Sequence, residues 1–306
     1  MSRPLEPGER RRLTSVTRLV YLLVVPLGLA TAQQSDNKLT PEQVESRLHY
    51  LSGRIALRSG LASLDMPSSF RYLDAQETET VLRTWGNPPG SKTLGMLVPA
   101  GISVFDPASW AVVITYDEDG YVKDDEAAKI DYADLLAQMQ RGARDENQER
   151  KKAGYPPVEL VGWAEPPHYD SASHKLYWAK DLRFGTDTSH TLNYNIRVLG
   201  RRGVLVLNAV ATMDQLGSVK NDMTNVIGFV DFNDGHRYTD FVAGDKVAEY
   251  GIAALIAGGV AAKAGLFKVL LGALIALKKL IVVALVAVAA FLRRLFRRKP
   301  ADAPAK

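Results

Sequence analysis

Two apolar segments of opposite design bracket an otherwise polar chain, and together they constrain both what it folds into and where it resides. Arg10, Arg11, Arg12 and Arg18 precede the run Leu19 to Ala30, and Ala30 and Ala32 follow in small-x-small spacing. A basic start, a short apolar stretch and small residues at the cut are the marks of a secretory signal peptide, here residues 1–32. At the other end, Tyr250 to Leu292 is mostly Ala, Leu, Val, Ile and Gly, and it passes into Arg293, Arg294, Arg297, Arg298 and Lys299. About 20 apolar residues cross a bilayer, and a basic flank marks the cytoplasmic side. The expected order is a signal peptide (1–32), an exported region (33–245), a membrane anchor (246–292) and a basic cytoplasmic tail (293–306). That order places the chain in a bacterial inner membrane, its main domain in the periplasm and inner-membrane lipid as a direct partner.

Lys263, Lys268, Lys278 and Lys279 interrupt the anchor. Tyr250 to Leu271 then reads as the crossing and Ile281 to Leu292 as interfacial, because a hairpin would return the Arg-rich tail to the outside. Gly251, Ala254, Gly258, Ala262 and Gly265 recur at helical spacing. Such a small-residue stripe lets a second helix approach closely, so a membrane or envelope protein is the expected protein partner.

The exported region suffices for one large domain or for two smaller ones, at about 33–152 and 153–245. Formal charge is +4, with much of the basic excess at the two ends, so nucleic acid is not an expected partner. With no cysteine, the chain can form no disulfide, thiol nucleophile or thiolate metal site.

Thr40-Pro-Glu-Gln43 is a capping box that opens a helix expected to run to about Leu51. Residues 53–57 and 61–66 read as a strand pair around Arg58-Ser-Gly60. Asp74 caps a helix from Ala75 to about Trp85, ended by Gly86-Asn-Pro-Pro-Gly90. Strands follow at 94–99 and 110–116, with Asp117 to Gly120 as a turn into Tyr121 and Val122. Ile130, Leu135, Leu136 and Met139 then recur at helical spacing, predicting an amphipathic helix over about 126–152. Residues 158–212 form a second strand block, clearest in the hairpin 191–199 and 204–210 around Gly200-Arg-Arg-Gly203. A closing helix is expected from Met213 to about Phe232. The fold class is therefore α+β: a mostly antiparallel sheet with flanking helices, set on one face as the economical arrangement, plus a C-terminal transmembrane helix.

Three segments carry candidate chemistry. Counted from Thr115, the run through Asp117, Asp119, Gly120 and Glu126 matches the oxygen spacing of a calcium loop. A Thr at the first position leaves it one carboxylate short, and a solvated acidic turn is the simpler reading. No other cofactor is indicated. Glu165, His168, Asp170 and His174 could form an acid-base or metal cluster, as in a periplasmic hydrolase or metal-dependent enzyme, if the strand register brought them together. Surface polar residues at a turn are the simpler account here too. Arg201 and Arg202 could meet an anion, though such arginines more often decorate a turn. No nucleophile elbow or phosphate-cradling glycine loop occurs in the exported region.

The runs Trp85-Gly-Asn-Pro88, Gly162-Trp-Ala-Glu-Pro-Pro-His-Tyr-Asp170, Lys175-Leu-Tyr-Trp-Ala179 and Asn193 to Asn208 resemble the bacterial family called domain of unknown function 2167. The resemblance covers nearly all of the exported region and the anchor. It implies a Gram-negative envelope protein with a signal peptide and a C-terminal membrane segment, and it supplies no catalytic residues. The expected function is that of a membrane-anchored periplasmic protein, a non-enzymatic interaction or envelope-maintenance factor.

Overall fold

The computed structural model describes residues 39–87 and 89–258. The signal peptide with Ala30 and Ala32, the anchor beyond Gly258 and the basic tail lie outside the described residues. Helix α1 (Pro41–Glu45) opens as expected: Gln43 donates its N–H to Thr40 Oγ1, and Gln43 Oε1 accepts the Thr40 N–H. It stops at Glu45 instead of near Leu51. The chain extends there so that Leu51 and Tyr72 exchange backbone hydrogen bonds of 2.8 and 2.9 Å. Tertiary pairing overrides a good local start.

β1 (Arg54–Leu57) and β2 (Ala62–Asp65) form the expected hairpin. β3 (Phe70–Asp74) is an unanticipated strand leading into α2 (Ala75–Thr84), where Asp74 accepts the Glu77 N–H at 2.9 Å. Then come β4 (Thr93–Pro99), β5 (Ala111–Asp117), α3 (Tyr132–Lys152), β6 (Val158–Asp170), β7 (Lys175–Phe184), β8 (His190–Leu199) and β9 (Val204–Thr212). The chain closes with α4 (Leu216–Phe229), β10 (Val230–Phe232) and α5 (Ile252–Ala257). The expected closing helix therefore ends early, and its last residues pair with β2 as a strand.

Seven strands form one antiparallel sheet in the order β3-β4-β5-β9-β8-β7-β6, and β1-β2-β10 form a smaller one. β5 pairs with β9 from Ala111↔Val210 to Asp117↔Val204. The halves at 33–152 and 153–245 thus contribute to a single sheet, and the compact unit runs through Ala257. A second unit begins at Gly258. Pro166 and Pro167 lie in β6, an edge strand, where a missing N–H is tolerated. Helix α3 covers that edge: Gln140 donates to the carbonyls of Leu160 and Val161, and Asn147 exchanges two hydrogen bonds with Val158. These contacts occupy backbone groups that an open edge would offer to another chain.

Alternation along the strands divides the core. One face carries Tyr194, Ile196, Leu205 and Leu207, packed with Val219, Met223 and Val226 of α4 and with the small sheet. Lys175, itself buried, reaches the C-terminal end of α4 and donates to the carbonyls of Ile227 at 2.8 Å and Val230 at 3.0 Å. Its charge suits that end of the helix dipole. The second face carries two separate apolar patches. Leu73, Val81, Leu82 and Met96 join α2 to β3 and β4, whereas Leu135, Trp178, Ile252, Leu255 and Ile256 join α3 and α5 to β7. Helices therefore flank both faces, because strands with two apolar faces need cover on each. Between the two patches, Asn193, Asn208 and Val210 of β8 and β9 stay half-exposed. Among the described residues, no helix is long and apolar enough to cross a membrane.

Candidate functional site

The acidic loop after β5 makes no hairpin. It holds a distant segment. Tyr121 N donates to Lys246 O and Ala248 N to Tyr121 O, both at 2.8 Å, in a parallel bridge between Tyr121 and Val247. Gly120, at φ +113°, lies so close that a Cβ there would stand 2.7 Å from Lys246 O. Asp119 accepts the Tyr250 hydroxyl at 2.8 Å, and Glu126 Oε1 accepts the Ala253 N–H at 3.1 Å. That N–H lies in the first turn of α5, where helical donors lack internal partners. Gly251 abuts the same carboxylate, since a Cβ there would stand 2.4 Å from Glu126 Oε1. Ala254 packs into the α3/α5 patch. Gly258 ends the described chain, and Ala262 and Gly265 of the small-residue stripe lie outside it.

Thr115, Asp117, Asp119 and Glu126, whose spacing matches a calcium loop, are put to other uses. Thr115 sits within β5, paired with Val206, while Asp119 and Glu126 serve the segment 245–257. Burial raises the carboxyl of Asp117 above its ordinary range, the reverse of what a charged ligand needs. Among the described residues, no three His, Asp or Glu side chains are grouped to hold a metal ion.

The turn Gly200-Arg-Arg-Gly203 completes this clasp. Arg201 grips Asp245 through Nε at 2.6 Å and Nη2 at 3.0 Å, which holds that carboxyl down at about 2. Gly120 N donates to Arg202 O, and a Cβ on Gly203 would stand 2.2 Å from Asp117 O. Arg201 thus has an internal partner, and the turn works as a junction between the acidic loop and the chain leading to α5.

The candidate acid-base residues are placed separately. Glu165 Oε1 meets Lys220 Nζ at 2.9 Å, tying β6 to α4. His168 is exposed, its ring 5.0 Å from that of Tyr177. Asp170 closes the β6–β7 turn, accepting from the Ser173 hydroxyl at 2.6 Å and the Ala172 N–H at 2.9 Å, and the Ser173 bond above all lowers its carboxyl. His174 has φ +53° and stands 3.2 Å from the Tyr169 hydroxyl and 3.8 Å from Asp124. Its ring lies 4.2 Å from Tyr238, which stacks in turn on Tyr121 at 4.3 Å. The register partners of Glu165 and His168 are Ala179 and Tyr177, on the α4 side, whereas Tyr169 and Tyr238 belong to the opposite patch. The sheet itself stands between Glu165 and His174.

A different set of polar residues converges where the helices leave the second face open. Trp178, Asn195 and Asn208 align across β7, β8 and β9, and Lys180 pairs with Asn193 in the next row. Arg197 leans over the first row: its guanidinium carbon lies 4.9 Å from the Trp178 ring, and it donates to Asn208 Oδ1 at 3.1 Å and Asn195 Oδ1 at 3.4 Å. Asn195 in turn donates to Asn193 O at 2.8 Å and Oδ1 at 3.0 Å. Burial lowers Arg197 to about 10; burial and then Arg197 lower Lys180 to about 8. Sequence reasoning passed over these residues. Their signal is the period-two alternation Asn193-Tyr-Asn195-Ile-Arg197, which places three polar groups on one face of a central strand.

Among solved structures, the chain is similar to cyanobacterial PsbP (CyanoP) from Synechocystis, with 9% identity over 59% of this chain and 91% of that one, at a TM-score of 0.34. It is also similar to the Saccharomyces cerevisiae Ran-binding protein Mog1p (10% identity, 64% and 100% covered, TM-score 0.34). LpqN, involved in cell envelope biogenesis of Mycobacterium tuberculosis, is a third (16% identity, 63% and 95% covered, TM-score 0.27). No curated protein matches this chain. The model of the family described as "Protein of unknown function (DUF2167)" matches residues 49–289, most of the chain, and the chain belongs to that family.

Proposed function

We propose that this chain is a membrane-tethered interaction module of the bacterial envelope, exported by residues 1–32, held in the inner membrane by the apolar run beyond Ala257, and working through its α+β domain on the periplasmic side without catalysis of its own. One observation carries the reading. The first residues of the apolar run belong to the domain core: Ile252, Leu255 and Ile256 are buried, and the acidic loop clasps residues 246–253. Each such side chain contributes roughly 1.5–3 kcal/mol on burial. The domain thus extends through Ala257 into the apolar run, so the proposed crossing begins later than Tyr250. The separation of Glu165 from His174 supports a binding role over a hydrolytic one.

Protease treatment of spheroplasts expressing the full chain tests this. The α+β domain should be digested from outside, a fragment carrying residues 293–306 should stay protected, and the protein should resist extraction at alkaline pH. A domain protected in intact spheroplasts, or released by alkali, would overturn the assignment.

A further inference from the structure

We propose that the open middle of the sheet's second face is a binding site for a ligand bearing an oxyanion, carboxylate or phosphate, gripped between Lys180 and Arg197 above Asn193 and Asn195. The inference is independent of where the chain resides.

The strands assemble two cations here without a carboxylate between them. Arg197 begins one row away, yet its bonds to Asn195 and Asn208 pull the guanidinium over the Trp178 row, towards Lys180. Among the described residues, neither cation has a carboxylate within ion-pair distance. Asp117 acts on Arg197 only at longer range. Two like charges held close in a partly desolvated place raise the free energy of the fold, and an anion is the partner that lowers it. A structural role alone would not require them, since the same strands fill their other face with Tyr194, Ile196 and Leu207.

The donors also outnumber the acceptors. Lys180 brings three N–H groups, Arg197 brings more, and the indole N–H of Trp178, buried in the same row, has no acceptor among the described residues. Same-face neighbours along a strand stand roughly 6.6 Å apart. An oxyanion accepting at about 2.8 Å on either side fills such an interval. Solvent reaches the place from the side of Lys180, Asn193 and Asn208, which are half-exposed, while Arg197, Asn195 and Trp178 lie buried beneath them.

Lysine acylation of the full chain in detergent, read by peptide mass spectrometry, tests the site. At pH 8 Lys180 holds far more free amine than a solvated lysine of pKa about 10.4, so in sodium chloride it should label faster than the exposed Lys129 and Lys151. Replacing chloride by sodium phosphate or sodium acetate at equal ionic strength should slow Lys180 alone, about tenfold once the anion reaches ten times its Kd. Slowing in phosphate only assigns a phosphate-bearing ligand, and slowing in acetate only a carboxylate. Arg197→Gln should shift protection to at least several-fold higher anion concentration. Should that buried change unfold the protein, Asn193→Ala, which is half-exposed, must show a shift of the same sign. Equal labelling of all three lysines in every salt, or protection indifferent to both variants, overturns the proposal.

Discussion

Gly120→Ala should loosen the chain between Val242 and Ala257 without disturbing the sheet. Two effects add at this position. At φ +113° an L side chain is strained, at a cost of about 1–3 kcal/mol. The new Cβ would also stand 2.7 Å from Lys246 O and 3.0 Å from Ala248 N, against backbone that cannot rotate away as a side chain can. Relieving that collision means parting Tyr121 from Lys246 and Ala248, two hydrogen bonds worth about 1 kcal/mol each. The sum is about 3–5 kcal/mol. Gly53→Ala is the control, because Gly53 has φ +76° and nothing within 4 Å of an added Cβ, so it carries the strain alone. Hydrogen exchange on the full chain should show the amides of Tyr121, Ala248 and Ala253 exchanging at least about thirtyfold faster in Gly120→Ala than in Gly53→Ala, while β8 and β9 stay protected. Equal exchange in the two variants would show that the clasp does not depend on this close approach.

Lys175→Met should cost about 2–4 kcal/mol in a thermal melt, because the carbonyls of Ile227 and Val230 would be left buried without their donor; a loss under 0.5 kcal/mol would refute the capping role. Asp245 has its folded pKa at about 2 against an ordinary 3.8, so its contribution is complete above pH 4 and is lost as pH falls through 2. The melting temperature should therefore fall across that window, and Arg201→Gln should flatten the fall; an unchanged slope would count against the pair. Several millimolar calcium should leave the melting temperature where sodium chloride of equal ionic strength leaves it, since Asp119 and Glu126 already serve Tyr250 and α5. A calcium-specific rise that Asp119→Ala removes would reverse that conclusion.

The elements legible in the sequence were those whose signal is local and periodic. The Thr40 and Asp74 caps and the β8–β9 hairpin appear where residue pattern places them, and α3 ends as expected but begins at Tyr132, not at about 126. Pairings between distant segments leave no such trace. Leu51 ends α1 by bridging to Tyr72, and Val230 to Phe232 turn from helix to strand because β2 offers an edge. The acidic loop misled for a related reason: oxygen ligands spaced for an ion are also oxygen acceptors spaced for N–H and O–H donors arriving from residue 246 onward. Asn193, Asn195 and Arg197 were readable as alternating polar positions, whereas Lys180 stands alone between Trp178 and Leu182 on its face of β7. Only the gap between two helix layers shows that this part of the face stays partly open to solvent.

The pairing of β5 with β9 also governs the order in which this protein can form. Residues around Ile114 must wait for residues around Leu207 before the middle of the sheet exists, and loops of that size close slowly. Until then β5 presents an unsatisfied, strongly apolar ladder, the kind of surface that recruits other nascent chains. A polypeptide interrupted anywhere before β9 should accumulate as aggregate instead of as a smaller folded piece. The full-length chain should fold late, nearly all at once, and only after most of it has been made.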